Sequence, residues 1–281
     1  MIVDQSQETA YPSYLALDEI LTPPSRTRPG GSGGTLLAVA LRAQGLWFEQ
    51  LLRELGALQR GLDRGDGPGA LRAVDRSLRI LRALVAQLEV VEPLAAWELA
   101  GGETAGPGAF EPAGFREAEA VLGWRDRRPS PADRRPSPAD RRPSSTDRRP
   151  PSAEPYPAGG SPDGGGVTEA EAARHRPSVF DSLLGYLAAR GYPVPCDLLY
   201  RDVSSPAAPS PGLQDVLVRV HRDDGAAAQI CERLVDLDEG FQEWRYRHAR
   251  IVERATGDDA DPRGDVFAPV FPDLWAVRSL L

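Results

Sequence analysis

The sequence predicts an all-α protein, a helical bundle interrupted by one low-complexity insertion. Apolar residues recur at spacings of three and four over long stretches on both sides of that insertion. No stretch of comparable length alternates apolar with polar residues as a half-buried strand would. The chain has 281 residues and is 41% hydrophobic, enough for a sizeable core.

The first helix is read from Leu36, Ala40, Ala43, Trp47, Leu51, Leu55 and Leu58, which fall on one face. A second stripe runs through Leu71, Val74, Leu78, Leu81, Leu84, Leu88 and Val91. Residues 125–166 follow a different rule. RRPSPAD begins at Arg127 and again at Arg134, RRPSSTD at Arg141, and a decayed RRPPSAE at Arg148. Proline recurs there too often for a helix, and the Gly/Pro/Ser-rich continuation has no apolar content for a core, so this is expected to be a disordered insertion. Residues 1–124 and 167–281 would together make one helical domain. Beyond the insertion, Pro177 to Gly191 reads as a shorter helix with Gly191 as its stop. The longest helical pattern runs from Ala226 to Thr256, with Gly257 placed to end it.

The last pattern contains the most informative residue. Its apolar face is Ile230, Leu234, Leu237, Phe241, Trp244, position 248, Ile251 and Ala255, and position 248 is a histidine. An imidazole on a buried stripe must satisfy two ring nitrogens where water is scarce. It can be hydrogen-bonded structurally or it can ligate a metal. Trp244 lies one turn earlier on the same face, and Arg245, Arg247 and Arg250 flank the position. An aromatic wall with nearby cations suits a flat macrocycle bearing carboxylates, such as haem. Only His175 and His221 remain elsewhere, and Cys196 and Cys231 form no pattern with histidine. Neither a multi-histidine centre nor a zinc or covalent CxxCH haem site is indicated.

Composition excludes other classes. The net charge of −8 argues against nucleic acid as the main partner. Residues 125–149 hold nine Arg and four Asp, a local +5 that leaves −13 elsewhere. The apolar runs fall well short of the roughly 20 residues of a membrane helix, and MIVDQSQETA lacks the basic start and apolar core of a signal peptide. A cytoplasmic location is therefore expected.

Several segments resemble the tryptophan 2,3-dioxygenase family. They are LVDLDEGFQEWRYRHARIVERATG from Leu234, VFPDLWAVRSLL from Val270, RPSVFDSLLGYLAARGYPVPCDLLYRD from Arg176, YPSYLALDEIL from Tyr11, LWFEQLLREL from Leu46, and GF at Gly114. The resemblance implies a helical, usually tetrameric enzyme binding one b-type haem per subunit through His248, with Trp244 beside it. It implies O2 or peroxide as oxidant and an aromatic amino acid, L-tryptophan or a relative, as substrate. In the family the tyrosines matching Tyr11 and Tyr14 reach a neighbouring subunit's pocket, so a homo-oligomer, dimer or tetramer, is expected. Other positions depart from the family pattern. Its distal histidine falls on Leu41, the phenylalanine four residues earlier on Leu37, and the arginine that grips the substrate carboxylate on Val121. Its Gly/Thr/Ser-rich substrate loop is missing after Gly257. Arg42 or Arg116 could supply a substitute guanidinium, although Arg116 lies five residues before Val121 and points elsewhere on a regular helix. The cofactor side of the resemblance is retained and the substrate side is remodelled. That leaves two outcomes: an oxygenase with an altered pocket, or a non-catalytic haem-binding paralogue or sensor.

Overall fold

A computed structural model describes residues 31–96, 99, 110–125, 168–257 and 266–281. Tyr11 and Tyr14, and the insertion apart from Arg125, lie outside the described residues. Nine helices are described: α1 (Gly31–Asp63), α2 (Gly67–Val91), α3 (Phe115–Leu122), α4 (Glu169–Arg174), α5 (Val179–Ala189), α6 (Cys196–Leu199), α7 (Pro211–Asp223), α8 (Gly225–Thr256) and α9 (Pro272–Arg278). The described residues contain no strand, as the periodicity predicts. None of their helices is long and apolar enough to cross a membrane.

The centre of the fold is the layer made by α1, α2 and α8, with α2 packed against both of the others. Arg64, Gly65 and Asp66 join α1 to α2. Gly65 takes φ +74°, a left-handed conformation that a residue with a Cβ enters at a cost. The Asp66 carboxylate accepts the Gly69 N–H at 2.9 Å and so caps α2. Beyond the turn the two helices approach closely: a Cβ on Gly61 would stand 2.9 Å from the Ala70 nitrogen. Along the shared face, α1 buries Phe48, Leu51, Leu55, Leu58 and Leu62, and α2 buries Val74, Leu81, Leu84 and Leu88. α8 adds Ile230, Leu234, Leu237, Phe241 and Trp244. Each such side chain contributes about 1.5–3 kcal/mol when fully removed from water.

The early part of α1 differs from its predicted stripe. Trp47 is 39% exposed while Phe48 is fully buried, so the inward face there runs Ala40, Gln44, Phe48 and Leu51. Adjacent aromatics on a helix point about 100° apart, and spacing alone admits either as the inward one. The core selects Phe48 because Trp244 and Phe115 receive it edge-on.

The remaining helices dock around this layer. α5 begins with a capping box in which Ser178 Oγ accepts from Asp181 N and the Asp181 carboxylate accepts from Ser178 N at 2.7 Å. Gly257, at φ +69°, closes α8 as its sequence position predicts. The closing segment is held by two buried carboxylates. Asp238 of α8 accepts the N–H groups of Val270, Phe271 and the Trp275 indole. Asp273 accepts from Ser210 N and Gln214 Nε2 at the head of α7. Asp238 thereby fastens the C-terminal segment to the same helix that carries His248.

Candidate functional site

The site is built from the second half of α8 and the stretch from Phe110 through α3. Trp244 and His248 are separated by one helical turn, so their rings stack, with centroids 4.7 Å apart and planes 12° from parallel. Trp244 is fully buried, meeting Phe48 edge-on at 5.1 Å and Phe115 at 4.5 Å. Phe115, the first residue of α3, also lies 6.4 Å from the His248 ring. Two aromatic rings, Trp244 and Phe115, thus meet the imidazole, and Phe48 packs behind both of them.

His248 Nε2 lies 2.9 Å from the backbone carbonyl of Phe110. A carbonyl can only accept, so Nε2 carries the proton in this arrangement. Burial lowers the His248 pKa below the usual histidine value, the bond to Phe110 opposes this, and the charge of Arg116 adds to the lowering. The ring is therefore neutral near neutral pH, the form in which imidazole ligates a metal.

The charges around the rings are arranged in pairs. Arg245, next to Trp244, points into the protein, 7% exposed, with Nε 3.2 Å from Oε1 of Glu119, itself 4% exposed. Its guanidinium lies 4.4 Å over the Trp124 ring and donates to the Ala268 carbonyl. Burial pushes the Glu119 carboxyl above the usual carboxylate range, against the pull of Arg245 and Arg116. Arg116 lies over the Phe115 ring at 5.3 Å and holds both Glu111, at 2.9 Å, and Glu119, at 3.3 Å. The arginines read as cations flanking His248 are thus already committed. Arg245 pairs with Glu119, Arg247 with Glu89, Glu92 and Glu243, and Arg250 with Glu253.

The other predicted positions are placed as follows. Leu37 and Leu41 are half-buried on α1, about three and two turns before Phe48, and Val121 is half-buried on α3. The groups meeting His248 by hydrogen bond or ring contact are Phe110, Phe115 and Trp244. Of these only Trp244 is signalled by periodicity. Phe115 belongs to the GF match, while Phe110, Glu111 and Glu119 carry no sequence signal that ties them to His248, since they lie more than 120 residues away.

The donor set suits one kind of metal. Among the described residues no group of three or more His, Cys, Asp or Glu side chains could hold a bare ion. His221 is tied to Glu232 and the Leu217 carbonyl, and the buried Cys231 thiol is pushed up to about 12. A single neutral imidazole among aromatic rings fits a macrocyclic iron that brings four nitrogens of its own. The buried Trp244 Nε1, without a hydrogen-bond partner among the described residues, adds an unused donor there. Ligation through Nε2 requires the bond to Phe110 to be exchanged.

Comparison with known proteins points the same way. No family model matches the chain. It is 40% identical over 290 residues to the tryptophan 2,3-dioxygenase of Anaeromyxobacter dehalogenans (strain 2CP-C), covering 98% of this chain and 97% of that protein. The enzyme of the same name from Anaeromyxobacter sp. (strain K) is 40% identical over 294 residues, with the same coverage. That of Herpetosiphon aurantiacus is 34% identical over 285 residues, covering 98% and 99%.

Proposed function

Since this chain belongs to the tryptophan 2,3-dioxygenase family, we propose that it is a haem-dependent oxygenase of L-tryptophan or a closely related aromatic amino acid, with His248 as the axial ligand. The observation that carries this reading is the buried His248 imidazole, stacked on Trp244, with its Nε2 directed at one backbone carbonyl.

Bound haem would supply the iron that activates O2, so that both oxygen atoms enter the indole C2–C3 bond and N-formylkynurenine forms. The chain's own part is to hold and shield. His248 would ligate the iron once Nε2 gives up its proton and the Phe110 carbonyl. Trp244, fixed by Phe48 and Phe115, prevents the imidazole from rotating. The same apolar rings exclude water from the reacting groups. Leu37 and Leu41 would leave the opposite face without a proton donor, and Val121 cannot bind a carboxylate. We take the unit to be the described helices with residues 125–166 as an insertion, acting in the cytoplasm as a dimer or tetramer in which Tyr11 and Tyr14 serve a neighbour's pocket.

Those same leucines and Val121 favour a second reading, a haem-binding paralogue without turnover. Spectra separate the two. Haem-loaded protein is expected to show a Soret band that is lost or weakened in His248→Ala, and to shift it and consume substrate when L-tryptophan is added with reductant and O2. A folded protein that stays colourless with haem supplied would overturn both readings, and a Soret band without turnover on any aromatic amino acid would leave only the second.

A further inference from the structure

We propose that the repeat RRPSPAD at residues 134–140 docks in the groove between α2 and α8 of its own chain, with its arginines at the acidic end of the groove and Asp140 at the basic end. The docking is independent of the haem at His248, which uses neither the groove nor the repeats.

The groove forms where two helices run side by side in the same direction. Asp75 of α2 meets Arg233 of α8 at 3.3 Å, and Glu89 further along α2 meets Arg247 further along α8 at 3.2 Å. Two depressions, of about 410 and 210 Å³, adjoin along this seam and share Leu78 and Arg82. Leu78, Leu81 and Val85 form an apolar floor, and the walls are charged. The charges are polarised along the groove. At one end Glu89, Glu92 and Glu243 share the single guanidinium of Arg247, and Glu239 has no ion pair among the described residues. At the other end Arg233 is paired with Asp75 and Asp236, while Arg79 and Arg82 have no ion pair among the described residues.

The repeat carries the complementary pattern at a matching length. Two prolines in seven residues favour polyproline II, which rises ~3.1 Å per residue, so Arg135 and Asp140 would stand roughly 16 Å apart. Arg79 and Glu89 are ten residues apart on α2, roughly 15 Å along its axis. Guanidinium groups suit the carboxylates of the acidic end as bidentate partners. The intervening Pro-Ser-Pro-Ala would lie on the apolar floor, as proline-rich segments do in other grooves. Tether and direction agree with this placement. The Trp124 ring lies 4.4 Å from the Arg245 guanidinium, so the chain leaves the described fold beside α8, close to the acidic end. A helix is about 10–12 Å across with its side chains, which puts the groove roughly 20–30 Å away around α8. Arg134 lies nine residues after Arg125, a reach of roughly 28 Å, whereas the repeat at Arg127 begins too soon. The chain thus arrives at the acidic end with Arg134 and Arg135 and proceeds to the basic end with Asp140.

Photo-crosslinking of the haem-loaded full chain tests this, with p-benzoylphenylalanine placed at Ala132 in one protein and at Ala139 in another. The label at Ala132 is expected to join residues 236–247 of α8 or the stretch of α2 near Glu89, and the label at Ala139 to join residues 75–82, both within one chain. Adduct yields should fall about threefold or more in Glu239→Arg with Glu243→Arg, and likewise in about 0.5 M NaCl. Adding Arg134→Glu and Arg135→Glu to the groove variant should restore the adducts, which a misfolded groove could not do. Adducts at twice the chain mass would name a second copy as the occupant and overturn the proposal. So would adducts on another surface or in the reverse order, no adduct at all, yields unchanged by salt and by the groove variant, or failure of the rescue.

Discussion

Replacing Arg245 by methionine is expected to cost about 3–5 kcal/mol of folding stability, because it strands a buried carboxylate. Arg245 and Glu119 are 7% and 4% exposed and approach to 3.2 Å. At that separation two unit charges attract by roughly 5 kcal/mol at an effective dielectric of about 20. Most of this offsets the removal of both groups from water, so the intact pair is close to neutral and the broken pair is not. Methionine retains an unbranched apolar stem against Trp124 and removes the charge. Glu119 then keeps only Arg116, which is itself half-exposed. In urea unfolding followed by far-UV circular dichroism the loss should appear as a lower midpoint. Thermally it corresponds to roughly 6–20 °C, at about 2–4 °C per kcal/mol for a chain near this size. Adding Glu119→Gln should restore at least half of the loss, since the stranded charge is then gone. A single variant within about 1 kcal/mol of wild type, or a double variant as unstable as the sum of the singles, would refute the reasoning.

The same residue gives a pH prediction. Burial raises the Glu119 pKa in the folded protein, so its contribution is fully present below the unfolded carboxyl value of about 4.3 and is lost as pH rises through the raised folded value. The deficit of Arg245→Met should therefore shrink as the pH of the urea titration is lowered toward 4.5. Gly61→Ala should destabilise by about 1–3 kcal/mol in spite of alanine's helix propensity, since its Cβ would stand 2.9 Å from Ala70 N and 3.1 Å from Ala70 Cα. Gly185→Ala, with nothing within 4 Å, should instead stabilise by roughly 0.5–1 kcal/mol, and paired melting curves check the contrast. In haem-free protein, nitrogen NMR should find the His248 proton on Nε2, bonded to Phe110; haem loading should move it to Nδ1. A haem-free protein with Nε2 unprotonated would contradict the observed bond.

The helical class and the three longest helices were readable because their apolar periodicity persists over many turns, and α5 was readable as a shorter helix stopped at Gly191. Gly191 and Gly257 took the positive φ values that helix ends require. The shorter helices were less readable for physical reasons. α7 starts at Ser210 and Pro211, inside a Ser/Pro-rich run that reads as loop, and its helix depends on burying Leu213, Val216, Leu217 and Val220. In α1, spacing could not choose between Trp47 and Phe48. Within the site, Trp244 and His248 were readable because four residues of helix place them face to face. The partners of their neighbours were not. Arg245 meets Glu119, and His248 meets Phe110, across separations of more than 120 residues, and local spacing carries no information about such contacts. Arg247 and Arg250, plausible from their positions as cations for a ligand, are held by acids on α2 and on α8 itself.

The central claim is that His248 anchors a haem at which tryptophan, or a close relative, is oxygenated. The mass of the product formed from L-tryptophan by reduced, haem-loaded protein in O2 tests it most directly. A product carrying two added oxygen atoms, absent when His248 is replaced by alanine, is the predicted result. Haem-loaded wild type that leaves L-tryptophan and every related aromatic amino acid unconsumed, or undiminished turnover by His248→Ala, would contradict it.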